Sequence, residues 1–146
     1  MADPQRTCCT FVVAVTVLMS APLAIGAGQD GGDRKPSLSL RATPPMGFSP
    51  LRVRLGVDVR GGSDDYAEFY CASVEWDWGD GTISESSSDC EPYEVGKSTI
   101  RRRFTAEHVY RQQGVHKVIF RLKQKTRVVG SANVTVQVRS GLGLDG

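Results

Sequence analysis

The sequence is poor in the side chains that most often carry chemistry. Only two histidines, His108 and His116, and four cysteines occur among its 146 residues. No Cys-x-x-Cys or His-x-x-x-His pair is present, so the usual ligand spacing of a zinc site is missing. The nucleophile motif Gly-x-Ser-x-Gly and a glycine-rich phosphate-binding loop are also missing. These absences argue against a metal site, a hydrolase of that type and a nucleotide-binding enzyme.

Basic residues are missing from residues 61–96, which contain ten acidic residues. Residues 97–139 show the reverse, with eleven basic residues and one acid, Glu107. Because apolar residues alternate through both segments, we expect a folded sheet whose strands pair acid against base, not two disordered charged arms. The basic run Arg101–Arg103 is interpreted as a strand face. Nucleic acid is not an expected partner, since the chain has the features of an exported protein.

The N-terminus has the pattern of a secretory signal. Arg6 gives a positive start, residues 11–19 are uncharged and apolar, and small residues follow. This order predicts a signal peptide over residues 1–26. The alternative is an uncleaved membrane anchor, because residues 8–25 contain no charge, but Pro22 and the small-residue end favour cleavage. A membrane contact is expected only if the segment is retained.

Cleavage would remove two of the four cysteines and leave Cys71 and Cys90. In an oxidising compartment these two have one possible pairing, so a Cys71–Cys90 disulfide is predicted. Two free thiols are the alternative.

The rest of the chain has an apolar period of two, which is typical of β-strands. Residues 27–36 are predicted to form a charged, glycine-rich linker. Residues 37–139 are predicted to form one domain, and residues 140–146 a flexible tail. Short strands separated by glycine and proline, with no helical stripe, predict an all-β sandwich of about seven strands. The clearest strand has an apolar row alternating with a mainly polar one: Leu51, Val53, Leu55, Val57 and Val59 against Arg52, Arg54, Gly56, Asp58 and Arg60.

The stretch WDWGDG at residues 76–81 admits three interpretations: a calcium loop, a catalytic carboxylate pair, or a tight turn. The oxygen ligands do not follow EF-hand spacing, because Ser88 stands where the loop needs Glu. A catalytic pair needs a cleft, and nothing in the sequence supplies one. A type I′ hairpin turn at Asp-Gly, with Trp76 and Trp78 facing a core, fits the pattern better.

With its neighbours, this stretch resembles the polycystic-kidney-disease (PKD) domain family. That family has an immunoglobulin-like β-sandwich marked by WDFGDG, then H-x-Y, then G-x-Y before an alternating strand. The matching residues, which the resemblance implies are structural, are Trp76, Asp77, Gly79, Asp80, Gly81, His108, Tyr110 and Gly114, with Trp78 in place of Phe. His116 stands where the family has Tyr. The resemblance covers about residues 37–139.

The chain departs from the family between the first two motifs. Residues 82–107 form a connection longer than the family's, and the excess, residues 83–98, contains Cys90. Because Cys71 falls on the outward side of its expected strand, a bridge to Cys90 would fix this insertion across the outer sheet surface. Aromatic and acidic residues cluster near both cysteines, and we take them as candidate binding residues: Tyr66, Phe69, Tyr70, Glu91 and Tyr93.

The resemblance implies a non-catalytic, exported module that binds or scaffolds proteins at the cell envelope or outside the cell. No cofactor is expected, and no catalytic residue is assigned. One alternative is an accessory module that binds polysaccharide, since exposed aromatic rings stack on sugars. A second is a hydrolase or metal-binding protein, which would require a cleft joining Asp77 or Asp80 to a histidine.

Overall fold

The computed structural model describes residues 34–141. The predicted signal peptide lies outside this range, as do residues 27–33 of the linker and residues 142–146 of the tail. Within it, no helix is long and apolar enough to cross a membrane. One 3-10 helix, Ala67–Phe69, and eight strands form: β1 (Ser37–Thr43), β2 (Met46–Phe48), β3 (Leu51–Arg60), β4 (Ser73–Asp77), β5 (Ile83–Ser86), β6 (Arg103–Tyr110), β7 (Gly114–Gln124) and β8 (Arg127–Arg139).

The strands form two sheets that pack around one core. A three-stranded sheet has the order β1-β3-β6, and a five-stranded sheet has the order β2-β8-β7-β4-β5. Neighbouring strands are antiparallel except for β2 and β8, which run parallel. The all-β sandwich is therefore confirmed, with β2 as a short additional strand.

The alternation of apolar and polar residues in β3 decides which side of the three-stranded sheet faces the core. Its apolar row is buried, and three arginines of the other row are exposed. From the five-stranded sheet, β7 contributes Val118, Phe120 and Leu122 to the same core, each at most 1% exposed. Burial of these rows removes their apolar surface from water, which is the main favourable contribution to folding.

Acidic and basic residues do pair across the five-stranded sheet. Glu75 on β4 lies opposite Arg121 on β7, and its carboxylate is 2.5 Å from the Arg121 guanidinium and 2.7 Å from Lys123 Nζ. Only 12% of the Glu75 side chain is exposed, so water screens these ion pairs less than it screens ion pairs on an open surface. The hydrogen bonds from Lys123 and Arg121 lower the pKa of Glu75 to about 2.

Lys117, whose side chain points to the same side of β7 as that of Arg121, takes no part in this network. In the observed register, Asp77 lies opposite Ile119 and is the last residue of β4. Lys117 therefore lies beyond the end of β4, beside the loop that follows. Lys123 can reach Glu75, because β7 continues past Arg121 to the start of β4.

Two local predictions were wrong. Cys71 does not lie on a strand, since β4 begins at Ser73, and Cys71 itself has a positive φ of 51°. The strand expected to include Cys71 therefore starts two residues after it. The Asp-Gly pair does not form a type I′ turn, because Asp80 lacks the positive φ that both central positions require.

Candidate functional site

The loop between β4 and β5 is shaped by its two aspartates. Asp77 Oδ1 accepts a hydrogen bond from the Gly79 amide at 3.1 Å. Asp80 Oδ1 accepts two, from the Thr82 amide at 3.0 Å and the Thr82 hydroxyl at 2.6 Å. Each carboxylate bonds the backbone two residues ahead, which is how aspartate stabilises turns. A loop interpretation of WDWGDG is therefore correct, although its turn type is different.

Gly79 allows this loop to lie directly on β7. Its φ is +71°, and a Cβ atom added there would be 2.5 Å from the carbonyl oxygen of Lys117. A side chain at this position would collide with backbone, which cannot move without disturbing the sheet. The first glycine of the motif is thus required by both its conformation and its close approach.

The two tryptophans face the core, as the alternation predicted, with 6% of Trp76 and 4% of Trp78 exposed. Their rings are stacked, with centroids 5.7 Å apart. Trp78 also stacks on His108 of β6, at 4.4 Å, and Trp76 contacts Phe120 of β7 edge-on, at 4.8 Å. The aromatic residues therefore form a continuous row from the five-stranded sheet to the edge of the three-stranded sheet.

Two polar contacts join the sheets at the same place. The Tyr110 hydroxyl donates to the Trp78 carbonyl oxygen at 2.9 Å, and His108 Nε2 lies 2.7 Å from Asp80 Oδ2. Burial, together with the nearby Asp80 charge, raises the pKa of Tyr110 to about 12. Burial also tends to raise the pKa of Asp80, but the hydrogen bonds from Thr82 and His108 outweigh it and lower that pKa. We call this set of contacts the inter-sheet clasp.

The contact between Asp80 and His108 brings together two residues that a hydrolase could use. However, the Trp78 ring stacks on the face of the His108 ring, and the Tyr110 ring lies 4.7 Å away edge-on. The nearby hydroxyl of Thr82 donates to the carboxylate, not to the imidazole. The pair is packed as a structural contact and has no room for a substrate between its members. Within residues 34–141, no group of three or more His, Cys, Asp or Glu side chains is placed to hold a metal ion.

His116 occupies the position where the motif would have tyrosine. Its ring stacks on Tyr110 at 4.4 Å, and its Nδ1 lies 3.3 Å from the Gly79 carbonyl oxygen. Its Nε2 is buried without a hydrogen-bond partner. Gly114, also a motif residue, begins β7 with a φ of 155°, and a Cβ atom added there would lie 3.4 Å from this ring. The imidazole thus replaces a phenol ring as a flat packing surface.

Two solved structures share this arrangement of strands. The PKD domain of an M14-like peptidase from a Thermoplasmatales archaeon aligns over 75% of this chain and 100% of its own, with a TM-score of 0.50 and 12% identity. The CARDB domain of a Pyrococcus furiosus protein, solved in complex with di-metal ions, aligns over 74% and 92%, with a TM-score of 0.50 and 14% identity. The chain folds as a PKD-like, immunoglobulin-type β-sandwich. No protein-family model and no curated protein sequence matches it.

The insertion in this PKD-like domain begins as a strand and ends as an exposed loop. Residues 83–86 form β5, which pairs with β4 at the edge of the five-stranded sheet. Residues 87–98, which we call the tethered segment, contain no strand, and all but Ser98 are exposed. The predicted disulfide is present and joins Cys90 in this segment to Cys71, with Cα atoms 6.1 Å apart.

The five candidate binding residues lie together but differ in exposure. Phe69 belongs to the core, 4% exposed, and Tyr66 packs edge-on against it at 5.3 Å. Tyr70 contacts the Tyr93 ring at 5.5 Å, and its hydroxyl donates to the Glu91 carbonyl oxygen at 2.9 Å. The Glu91 side chain and the Tyr93 ring are the parts of this group that face water. Phe69 is therefore a packing residue, and Tyr66 packs against it. Tyr70 contacts the tethered segment, and Glu91 and Tyr93 belong to that segment.

One residue with a clear role was missed from sequence. The Asp65 carbonyl oxygen accepts a hydrogen bond from the Tyr93 hydroxyl at 2.5 Å, and its carboxylate accepts one from the Gly96 amide at 3.0 Å. The hydrogen bonds from Ser63 and the Gly96 amide lower the pKa of Asp65. Asp65 thus fixes the tethered segment from the loop before β4. Its partners lie about thirty residues ahead, so no local pattern signals the contact.

Proposed function

We propose that this PKD-like domain is a non-catalytic binding or scaffolding module of an exported protein, and that the tethered segment makes its contacts with a protein partner outside the cell or at the envelope. One observation carries the proposal: a polar segment without regular secondary structure is held in place while remaining exposed at nearly every residue. Since the sandwich is built by other residues, such restraint is best explained by the presentation of a surface.

The restraint comes from several independent contacts. The disulfide fixes Cys90, the Tyr70 and Tyr93 hydroxyls bond backbone carbonyls on either side, and the Gly96 amide is bonded to the Asp65 carboxylate. Ordering a flexible loop on binding costs free energy, roughly 0.5–1.5 kcal/mol for each immobilised side chain. A segment ordered in advance avoids much of that cost. The disulfide also supports export, because such bonds persist in oxidising compartments.

The motif residues support the absence of catalysis. Their polar groups contact the loop backbone or one another, and their rings contact other rings. None of these contacts leaves a charged group directed into a cleft. The side chains of the WDWGDG stretch are therefore used to join two sheets.

A carbohydrate ligand is the second candidate for the same region. Tyr70, Glu91, Pro92, Glu94 and Lys97 line part of an open depression of about 490 Å³. The Tyr93 ring beside it is 37% exposed. A half-exposed aromatic ring next to carboxylates can stack on a sugar ring and bond its hydroxyl groups.

Affinity capture with a trimmed chain tests the proposal. Residues 87–98 are replaced by a short Gly-Ser connection and Cys71 by Ser, while β5 is kept because it belongs to the sheet. Near-ultraviolet circular dichroism of the stacked tryptophans checks that the sandwich is intact. We expect the trimmed chain to lose the secreted proteins that the full chain captures. Capture at full strength by a folded, trimmed chain would show that the binding surface lies elsewhere.

A further inference from the structure

The outer face of the three-stranded sheet carries an excess of arginine. The side chains that point outward from β1, β3 and β6 include five arginines and two carboxylates, Asp58 and Glu107, and no lysine; the arginines are Arg41, Arg52, Arg54, Arg60 and Arg103. The exposed fractions of the Arg52, Arg54, Arg60 and Arg103 side chains range from 57% to 76%. We call this surface the arginine face.

The two carboxylates do not balance these charges. Glu107 is 2.9 Å from Arg54 and 3.5 Å from Arg52, so one carboxylate serves two guanidinium groups. Asp58 is likewise 3.1 Å from Arg103 and 3.9 Å from Arg60. Arg41 makes no ion pair or side-chain hydrogen bond with any residue that the structure describes. Many guanidinium N–H groups therefore remain available to an external acceptor.

The acidic part of the chain cannot supply the missing charge, because most of it is already paired on other surfaces. Glu75 pairs with Arg121 and Lys123, and Glu68 pairs with Arg127 at 2.8 Å. These contacts neutralise acids of residues 61–96 with bases of β7 and β8. On the opposite sheet, the arginine face is left with five guanidinium groups and two carboxylates.

The shape of the arginine face suits an extended ligand. Gly56 lies at its centre between Arg41 on β1 and Thr105 on β6, and a Cβ atom there would meet nothing within 4 Å. Because Gly56 and Thr105 have small side chains, the sheet has a shallow trough between β3 and β6 at this point. The row of Arg54 and Glu107 borders the trough on one side, and the row of Asp58 and Arg103 borders it on the other. The two rows are four residues apart along β3, which is roughly 13 Å at 3.3–3.4 Å per residue.

From this geometry we propose that the arginine face binds an acidic polysaccharide, a chain whose uronic-acid carboxylates cross the trough and accept paired N–H bonds from the arginines. Guanidinium groups match carboxylates in a planar, two-point geometry that lysine cannot reproduce. The face has no aromatic side chain among the residues described, so it lacks the stacking surface that single-stranded nucleic acid or a neutral sugar would use. Val109, half-buried, is its only sizeable apolar group, which is too little to enter a lipid surface.

This proposal does not depend on the tethered segment, and polygalacturonate serves as its probe. Binding to the full chain, with its disulfide formed, is measured by isothermal titration calorimetry at low salt. We expect the double variant Arg41→Gln with Arg52→Gln to bind at least about tenfold more weakly, since bonds to charged groups are lost. The matched control, Lys117→Gln with Arg139→Gln, removes the same charge from the outer face of the other sheet and is expected to bind within about twofold of the unmodified chain.

A third variant separates shape from charge. Gly56→Leu keeps every arginine and fills the trough, so weaker polygalacturonate binding is expected here too, while thermal unfolding confirms the fold. Unchanged binding by Gly56→Leu, or equal losses in the two double variants, would overturn the proposed site. So would tighter binding to single-stranded DNA or to vesicles of anionic lipid than to polygalacturonate at equal charge concentration, which would assign the face to another class of partner.

Discussion

Replacement of Glu75 by Gln should reveal how much stability a mostly buried carboxylate contributes. The substitution keeps the shape of the side chain but leaves Arg121 and Lys123 beside a neutral amide. An exposed ion pair contributes at most about 1 kcal/mol, and breaking a fully buried pair costs about 3–5 kcal/mol. Glu75 is 12% exposed and its partners about a quarter, so solvent still screens the network. We expect Glu75→Gln to lower the free energy of unfolding at pH 7 by about 1–2 kcal/mol.

The pH dependence of this loss follows from the lowered pKa. The Glu75 carboxyl has an ordinary pKa of 4.5, and the folded protein lowers it to about 2. A group whose pKa is lowered by folding stabilises the protein above its unfolded value, and this contribution disappears as the pH falls toward its folded value. The difference between the two proteins should therefore be full above pH 4.5 and should shrink toward zero near pH 2.

Urea unfolding, followed by tryptophan fluorescence between pH 7 and pH 2, measures this difference directly. Glu85→Gln is the control, because Glu85 is 61% exposed and its ion pair is with Lys123 alone; it should cost less than about 1 kcal/mol. A Glu75→Gln loss that stays constant from pH 6 to pH 2.5 would refute the electrostatic reasoning. In that case, packing of the side chain, and not its charge, would account for the effect.

The remaining predictions concern the clasp and the disulfide. Trp76→Ala truncates a buried ring and should cost about 3–5 kcal/mol in denaturant unfolding; a loss below about 1 kcal/mol would mean that the core assignment is wrong. Tyr110→Phe leaves a buried carbonyl oxygen unpaired and should cost about 1–3 kcal/mol, also by urea unfolding, with no change in overall circular dichroism. Gly79→Ala forces Cβ against backbone at a positive φ and should destabilise the domain by more than about 1 kcal/mol, measured as a lower unfolding midpoint. Replacing Cys71 and Cys90 together by Ser opens a loop with a sequence separation of 19, which should cost about 3 kcal/mol if chain entropy dominates; an unchanged melting temperature would contradict this.

Features with a local signal could be predicted from the sequence. The alternation of β3 identified its buried row, because a strand with one face in the core repeats every two residues. The burial of Trp76 and Trp78 followed from the same period. The Cys71–Cys90 disulfide followed from the number of cysteines, since cleavage of the predicted signal peptide would leave only these two.

Features that depend on the meeting of distant segments could not be predicted. The register that places Lys123 beside Glu75 is set by where β4 begins and ends, and the break at Cys71 has no local signal. The contact between Asp80 and His108 links residues 28 apart, one in the loop after β4 and the other on β6. Exposure of the candidate aromatic residues also depended on the fold: Phe69 enters the core, whereas Tyr93 lies outside it.

The position of β5 has a consequence for the behaviour of the protein in concentrated solution. A free sheet edge can pair with another chain, and proteins limit this hazard with short, charged edge strands. β5 is four residues long, carries Glu85, and leads directly into the segment held by Cys90. The disulfide therefore stops the edge from lengthening into an extended strand. Reduction of this bond would release residues 87–90, lengthen the available edge and favour self-association through intermolecular β-sheet.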